Sequence, residues 1–285
     1  MLNFAQRNLR IFFRQKGSVF FSLMGVLIII GLYVLFLGDV WVQNFSDIPG
    51  ARAMMDSWII AGIVSVTPVT TAMGALGLMV EDRTGRQTMD FLAAPVGRSQ
   101  LVGGYLLSSC IVGFLLSVLA LIIGEVYLLA NGGALPGPMM LLQILGILAI
   151  SVLASCALVF FLVSFFHSTG AFSTASAVIG TLIGFLTGIY LPIGSLPDAV
   201  QWVVKCFPIS HAGALLRQVM MTDTLAASFT GAPQTAVQEF ESMLGVTYTF
   251  GNYTMEPWAH LLILAGTALV FFLLAVWNVS RKKKG

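Results

Sequence analysis

The block Glu81-Asp82-Arg83-Thr84-Gly85-Arg86-Gln87-Thr88-Met89-Asp90-Phe91-Leu92-Ala93-Ala94-Pro95-Val96-Gly97-Arg98 concentrates charge between two long apolar runs. Glu81, Asp82 and Arg83 close the first run and Gly85 permits a turn. Thr88 to Ala94 can form a short helix carrying Met89, Phe91 and Leu92 before Pro95 stops it. Apolar side chains on such a loop helix want a partner, or rest on neighbouring helices or the membrane surface. The chemistry to expect from this block is docking.

Catalytic chemistry is not encoded. His167, His211 and His260 are the only histidines, and none shares a helical face with another histidine or a carboxylate at metal-ligand spacing. Glu125 is the one acid well inside an apolar run, so a pair of intramembrane carboxylates is not expected. A carboxylate there costs roughly 2.5–3.5 kcal/mol at a helix centre and less near the interface, so Glu125 is read as snorkelling, structural or a polar contact on a transport path. Cys110 and Cys156 fall inside runs and Cys206 outside, which suggests no pairing. The sequence has no Gly-Lys dipeptide, so the phosphate-cradling GxxxxGK[ST] loop cannot be built from it. If ATP powers this protein, another polypeptide binds it.

The elements that position these residues are membrane spans. Of the 285 residues 58% are hydrophobic and 9% charged, and the mean hydropathy is +0.93, far beyond what a soluble domain requires. Roughly 20 apolar residues cross a bilayer as a helix, because lipid offers unpaired backbone groups no partner. Six runs qualify: 17–37, 58–80, 101–130, 139–166, 169–191 and 258–279. The segment 192–257 is not expected to span, being broken by Pro197, Pro208, Pro233 and charges. The chain thus reads as a single transmembrane domain, 1–285, with all-α architecture. Arg7, Arg10, Arg14, Lys16, Arg83, Arg86, Arg98 and the terminal Arg281-Lys282-Lys283-Lys284 mark one face as cytoplasmic, with both termini inside. Leu2, Ala5, Leu9, Phe12 and Phe13 recur at helical spacing against Arg7, Arg10 and Arg14, so residues 1–16 read as an interfacial helix on that face.

The charged block resembles the loop between the second and third spans of the ABC-2 type permeases, the membrane subunits of one branch of ABC transporters. The resemblance rests on Glu81, Gly85, Asp90-Phe91-Leu92, Pro95-Val96, Arg98 and Leu101, followed by Gly103-Gly104-Tyr105. Downstream, Leu191-Pro192, Leu196-Pro197, Phe207-Pro208-Ile209-Ser210-His211 and Arg217 are similar to the family's segments before its last span. Arg86 and Phe207 depart from the commonest pattern, and the distance from Gly85 to Pro95 is one residue longer. The resemblance implies two membrane halves, identical or paralogous, and two separate ABC ATPase subunits that hold ATP and Mg, with no cofactor on this chain and no nucleic-acid partner. It implies that residues 81–100 form a coupling loop on the ATPase, a role carried to Glu81, Arg83, Gly85, Arg86, Asp90, Phe91, Leu92 and Pro95. It also implies a bacterial cytoplasmic membrane and short re-entrant or interfacial helices in the outer segment 192–257.

In the fifth span Gly180, Gly184 and Gly188 form two overlapping GxxxG patterns, extended backward by Ser173 and Ala177. Small residues at this spacing let helix backbones approach closely, within the chain or at a seam with another copy. The resemblance favours the seam. In the second span Pro68 removes a backbone hydrogen bond, and Ser65, Thr67, Thr70 and Thr71 repair the freed groups or line a path, with Glu125 a further path candidate. Phe-rich, weakly charged spans favour a lipophilic or amphipathic cargo such as a drug, antibiotic, peptide or lipid over a bare ion. Export of a polysaccharide or lipid-linked glycan is the alternative. An ion-coupled secondary transporter fits less well, because it calls for buried carboxylates and broken helices at the midplane.

Overall fold

The computed structural model describes residues 1–85, 98–251 and 253–281. Six of its helices are long and apolar enough to cross a membrane, and the described residues are all-α, as expected, apart from one hairpin of two-residue strands. Helix α1 is Leu2–Arg14 and α2 is Lys16–Leu32. A π-helical turn, Tyr33–Leu37, carries α2 on into α3, Gly38–Asn44. The long helices α4 (Ala51–Thr84), α5 (Arg98–Ala130), α6 (Pro138–Val163) and α7 (Thr169–Leu186) follow. Four short helices come next: α8 (Asp198–Cys206), α9 (Ser210–Met220), α10 (Thr222–Ser228) and α11 (Gln234–Leu244). Strands β1 (Thr249–Phe250) and β2 (Tyr253–Thr254) pair antiparallel, Thr249 opposite Thr254, before α12 (Pro257–Arg281).

Helix α4 is the axis of the bundle. Its most apolar window is 89% buried, against 11% for α7, and it packs on α2, α5, α6, α7 and α9. Trp58, Ile60, Val64 and Leu76 from α4 share one core with Leu121 of α5, Ile144, Leu148 and Phe160 of α6, and Leu215 and Leu216 of α9. Lipid tails are as apolar as these side chains, so close van der Waals packing and buried polar contacts hold the helices together. Pro68 deprives α4 of one ladder bond, and Thr71 Oγ1 donates to the carbonyls of Thr67 (2.7 Å) and Pro68 (3.2 Å) beside it.

Two helices, α4 and α7, differ notably from the sequence reading in their bounds. Helix α4 is 34 residues long, beginning at Ala51 rather than Trp58 and ending at Thr84, so Asp56 and Asp82 lie in the helix instead of flanking it. Helix α7 stops at Leu186, five residues short of the expected end. The reason is Gly188, in the left-handed region at φ +65°, with Ile189 N–H donating to the Gly184 carbonyl (3.0 Å) and Gly188 N–H to that of Phe185 (3.2 Å). This is a Schellman stop, which glycine adopts without a Cβ penalty. Among the described residues of 192–257 no helix is long enough to span, yet α9 is buried against α4, α6 and α12.

Candidate functional site

A lateral groove of about 1000 Å³ runs between α2, α4 and α7. Phe21, Met24 and Ile28 line it from α2, Val69 and Met73 from α4, and Phe172 and Ile179 from α7. The expected seam residues Ser173, Ala177 and Gly180 face it, as does Thr70. A smaller cavity of about 220 Å³ continues it past Leu32, Val66 and Gly184 to Tyr190. Gly184 is small for a reason inside the chain: a Cβ there would collide with the Tyr190 ring. Gly188 lies beyond the end of α7 and serves as its stop. Ser65, Thr67 and Thr71 are fully buried, and each donates to a carbonyl of its own helix.

The end of α4 that leads into residues 81–100 is tied to three other helices. Arg7 of α1 grips Asp82 with two nitrogens, Nη1 at 2.7 Å and Nη2 at 2.9 Å, and Tyr105 Oη of α5 donates to the same carboxylate at 2.6 Å. The shared hydrogen bond raises the Arg7 guanidinium above its ordinary pKa. Asp82 is 2% exposed, so this pair is largely shielded from water on the carboxylate side. One residue on, Arg83 Nη1 donates to the carbonyls of Ser164 and Phe166, both at 3.3 Å, just past the end of α6. A cation there also meets the partial negative charge of the helix C-terminus. Glu81 and Gly85 are exposed, and Gly85 N–H donates to the Glu81 carbonyl at 2.8 Å. Arg86, Asp90, Phe91, Leu92 and Pro95 lie outside the described residues.

The opposite end of α4 carries Asp56, which accepts from Arg52 Nε (3.3 Å) and Tyr127 Oη (3.2 Å). It borders a cavity of about 110 Å³ that Glu125 and Asp223 also line. Nearby, Arg217 of α9 is fully buried and forms no ion pair among the described residues. Its Nη2 donates to the carbonyls of Thr187 (3.2 Å) and Gly188 (2.9 Å), and its guanidinium stacks 4.8 Å over the Trp58 ring. Burial lowers its pKa to about 10, so it stays charged at neutral pH. Arg217 thus does for the end of α7 what Arg83 does for the end of α6.

Sequence reasoning missed the histidine contact altogether. His211 of α9 and His260 of α12 meet Nδ1 to Nδ1 at 2.7 Å, both buried, so one ring donates and the other accepts. Their 49-residue separation leaves no local spacing signal. Asp56 and Asp82 were missed as buried carboxylates for a different reason: each sits just outside the apolar run that marked the span. Among the described residues, no group of three or more potential ligands could hold a metal ion.

The bundle thus combines a buried brace at one end of α4, a groove with no ionisable side chain in its lining, and a short helix, α9, buried among the long ones. No curated protein matches the sequence. The family described as ABC-2 family transporter protein matches residues 42–277, from α3 through almost all of α12. The match covers most of the chain and takes in the brace at Asp82, the α4 and α7 walls of the groove and the buried α9, and the chain therefore belongs to the ABC-2 family of transporter membrane proteins.

Proposed function

We propose that this chain is one membrane half of an ATP-driven exporter for lipophilic or amphipathic compounds. The groove between α2, α4 and α7 forms one wall of the path, and a second permease half, identical or paralogous, faces α2 and α7. The observation that carries the reading is the groove itself: none of its lining side chains is ionisable, and its bulk is Phe, Met, Val and Ile. Such a surface solvates an apolar body and offers a bare ion no opposite charge.

ATP and Mg belong to separate ATPase subunits, the partners that membership of this family brings in general. Residues 81–100 take their push. The brace supports this role because Asp82 and Arg83 link the start of that loop to α1, α5 and the end of α6, so a force on the loop reaches several helices together. With the Lys- and Arg-rich ends and this loop on one face, both termini are cytoplasmic, α1 lies in the inner interface, and α8 to α11 form the outer segment.

The test is reconstitution with a copurified ATPase in proteoliposomes. ATP-dependent movement of a lipophilic dye is expected, and Asp90→Arg combined with Phe91→Ala should abolish transport while leaving membrane insertion intact. Dye movement by the permease alone, or full transport by the double variant, overturns the reading.

A further inference from the structure

The groove carries more than an apolar lining. Six hydroxyl side chains face it: Ser18 and Ser22 from α2, Thr70 from α4, and Ser173, Ser176 and Thr181 from α7. Each of the six spends its proton inside its own helix or at that helix's start. Ser18 donates to Gln15 Oε1 (2.9 Å) and Ser22 to the Ser18 carbonyl (2.7 Å). Thr70 donates to the Thr67 carbonyl (3.1 Å), Ser173 to that of Thr169 (2.9 Å), Ser176 to that of Phe172 (2.8 Å) and Thr181 to that of Ala177 (3.0 Å). A hydroxyl that has given its one proton has only lone pairs left to offer.

The polar character of the groove is therefore of one sign. It presents hydrogen-bond acceptors from three helices, with no ammonium, guanidinium or carboxylate among its lining side chains. The rings of Phe21 and Phe172 and the thioethers of Met24 and Met73 add polarisable, electron-rich surface, which favours a cation over an anion. An anionic head placed here would gain a donor only by breaking one of these intrahelical bonds. A protonated amine would find acceptors for its N–H groups at no such cost, with Val69, Ile28 and Ile179 in the same lining for its alkyl body.

We propose that the groove selects lipophilic ammonium compounds bearing N–H donors, and that Thr70, Ser173 and Ser176 are its specificity-determining residues. The inference rests on the groove being the cargo wall, and it names the cargo class.

The test uses the full-length chain in nanodiscs of zwitterionic lipid, without ATP or ATPase, and compares dodecylammonium with dodecanoate by isothermal titration. Dodecylammonium should bind at least tenfold more tightly. Thr70→Val and Ser176→Ala keep the side-chain volume nearly constant while removing the lone pairs, and each should weaken dodecylammonium on the order of tenfold without changing dodecanoate. Equal or tighter binding of dodecanoate overturns the assignment, as does a preference that survives both substitutions. Binding of neither amphiphile, the result if a second copy fills the groove, overturns it too. Because no nucleotide is involved, these failures leave the ATP-driven reading standing. A permease that binds dodecylammonium but transports without an ATPase would sink that reading alone.

Discussion

At one end of α4, Asp82 is held by short bonds from two other helices, Arg7 arriving from 75 residues away and Tyr105 from 23, in a clamp that joins α1, α4 and α5. At the other end, Asp56 is held by longer bonds, and its cationic partner Arg52 lies one turn away on the same helix and is shared with the exposed Asp39. Both carboxylates are almost entirely buried. The difference lies in what would come apart if each bond broke. Loss of the Asp82 contacts unties α1 and α5 from α4, whereas the Arg52–Asp56 pair lies within α4 and only the longer Tyr127 bond carries Asp56 across to α5. Buried polar groups in a membrane protein can thus serve chiefly as a joint between elements, as at Asp82, or chiefly as local neutralisation of a charge, as at Asp56.

Arg7→Met should give the largest effect, because it strands the Asp82 carboxylate in a site 2% exposed. A loss of about 3–5 kcal/mol is expected in denaturant titration of the micelle-bound protein. Asp82→Asn should cost clearly less, since Arg7 is 29% exposed and can turn to water. Equal losses from the two variants would mean the clamp is a surface pair in disguise.

Acidification should come next and act on the Asp56 side of the molecule. His211 is a base whose pKa burial lowers to about 4 from an ordinary value near 6.5. The unfolded chain therefore takes up this proton first as pH falls. The His211 contribution to stability is present above about pH 6.5 and is lost progressively down to about pH 4. Thermal unfolding followed across that window should show a falling midpoint, and His211→Gln should flatten the dependence. An unchanged slope in the variant would remove His211 from the account.

The smallest effect is expected for Asp56→Asn, below about 1 kcal/mol, because Arg52 keeps Asp39 and stays in reach of water. A loss matching that of Arg7→Met would erase the distinction between the two ends.

Hydropathy made the spans legible, since the cost of exposing backbone to lipid forces each long apolar run into one helix. The small residues of the fifth span were legible as a pattern but not as roles: Ser173, Ala177 and Gly180 face the groove, Gly184 makes room for Tyr190, and Gly188 ends the helix. Composition alone does not distinguish these uses. Pairings such as Arg7 with Asp82 or His211 with His260 are set by which helices become neighbours, and a span-by-span reading carries no term for that.

The early stop at Gly188 leaves α7 with 18 residues, about 27 Å of helix, beside an α4 of 34 residues and about 51 Å. A hydrocarbon layer of roughly 30 Å is thicker than the first and far thinner than the second. Wherever α7 borders lipid rather than a second permease half, the bilayer would have to thin to match it, at a fraction of a kcal/mol for each ångström of mismatch. A helix this short beside one this long makes the protein a sensor of bilayer thickness, and its transport should follow the acyl-chain length of the host bilayer.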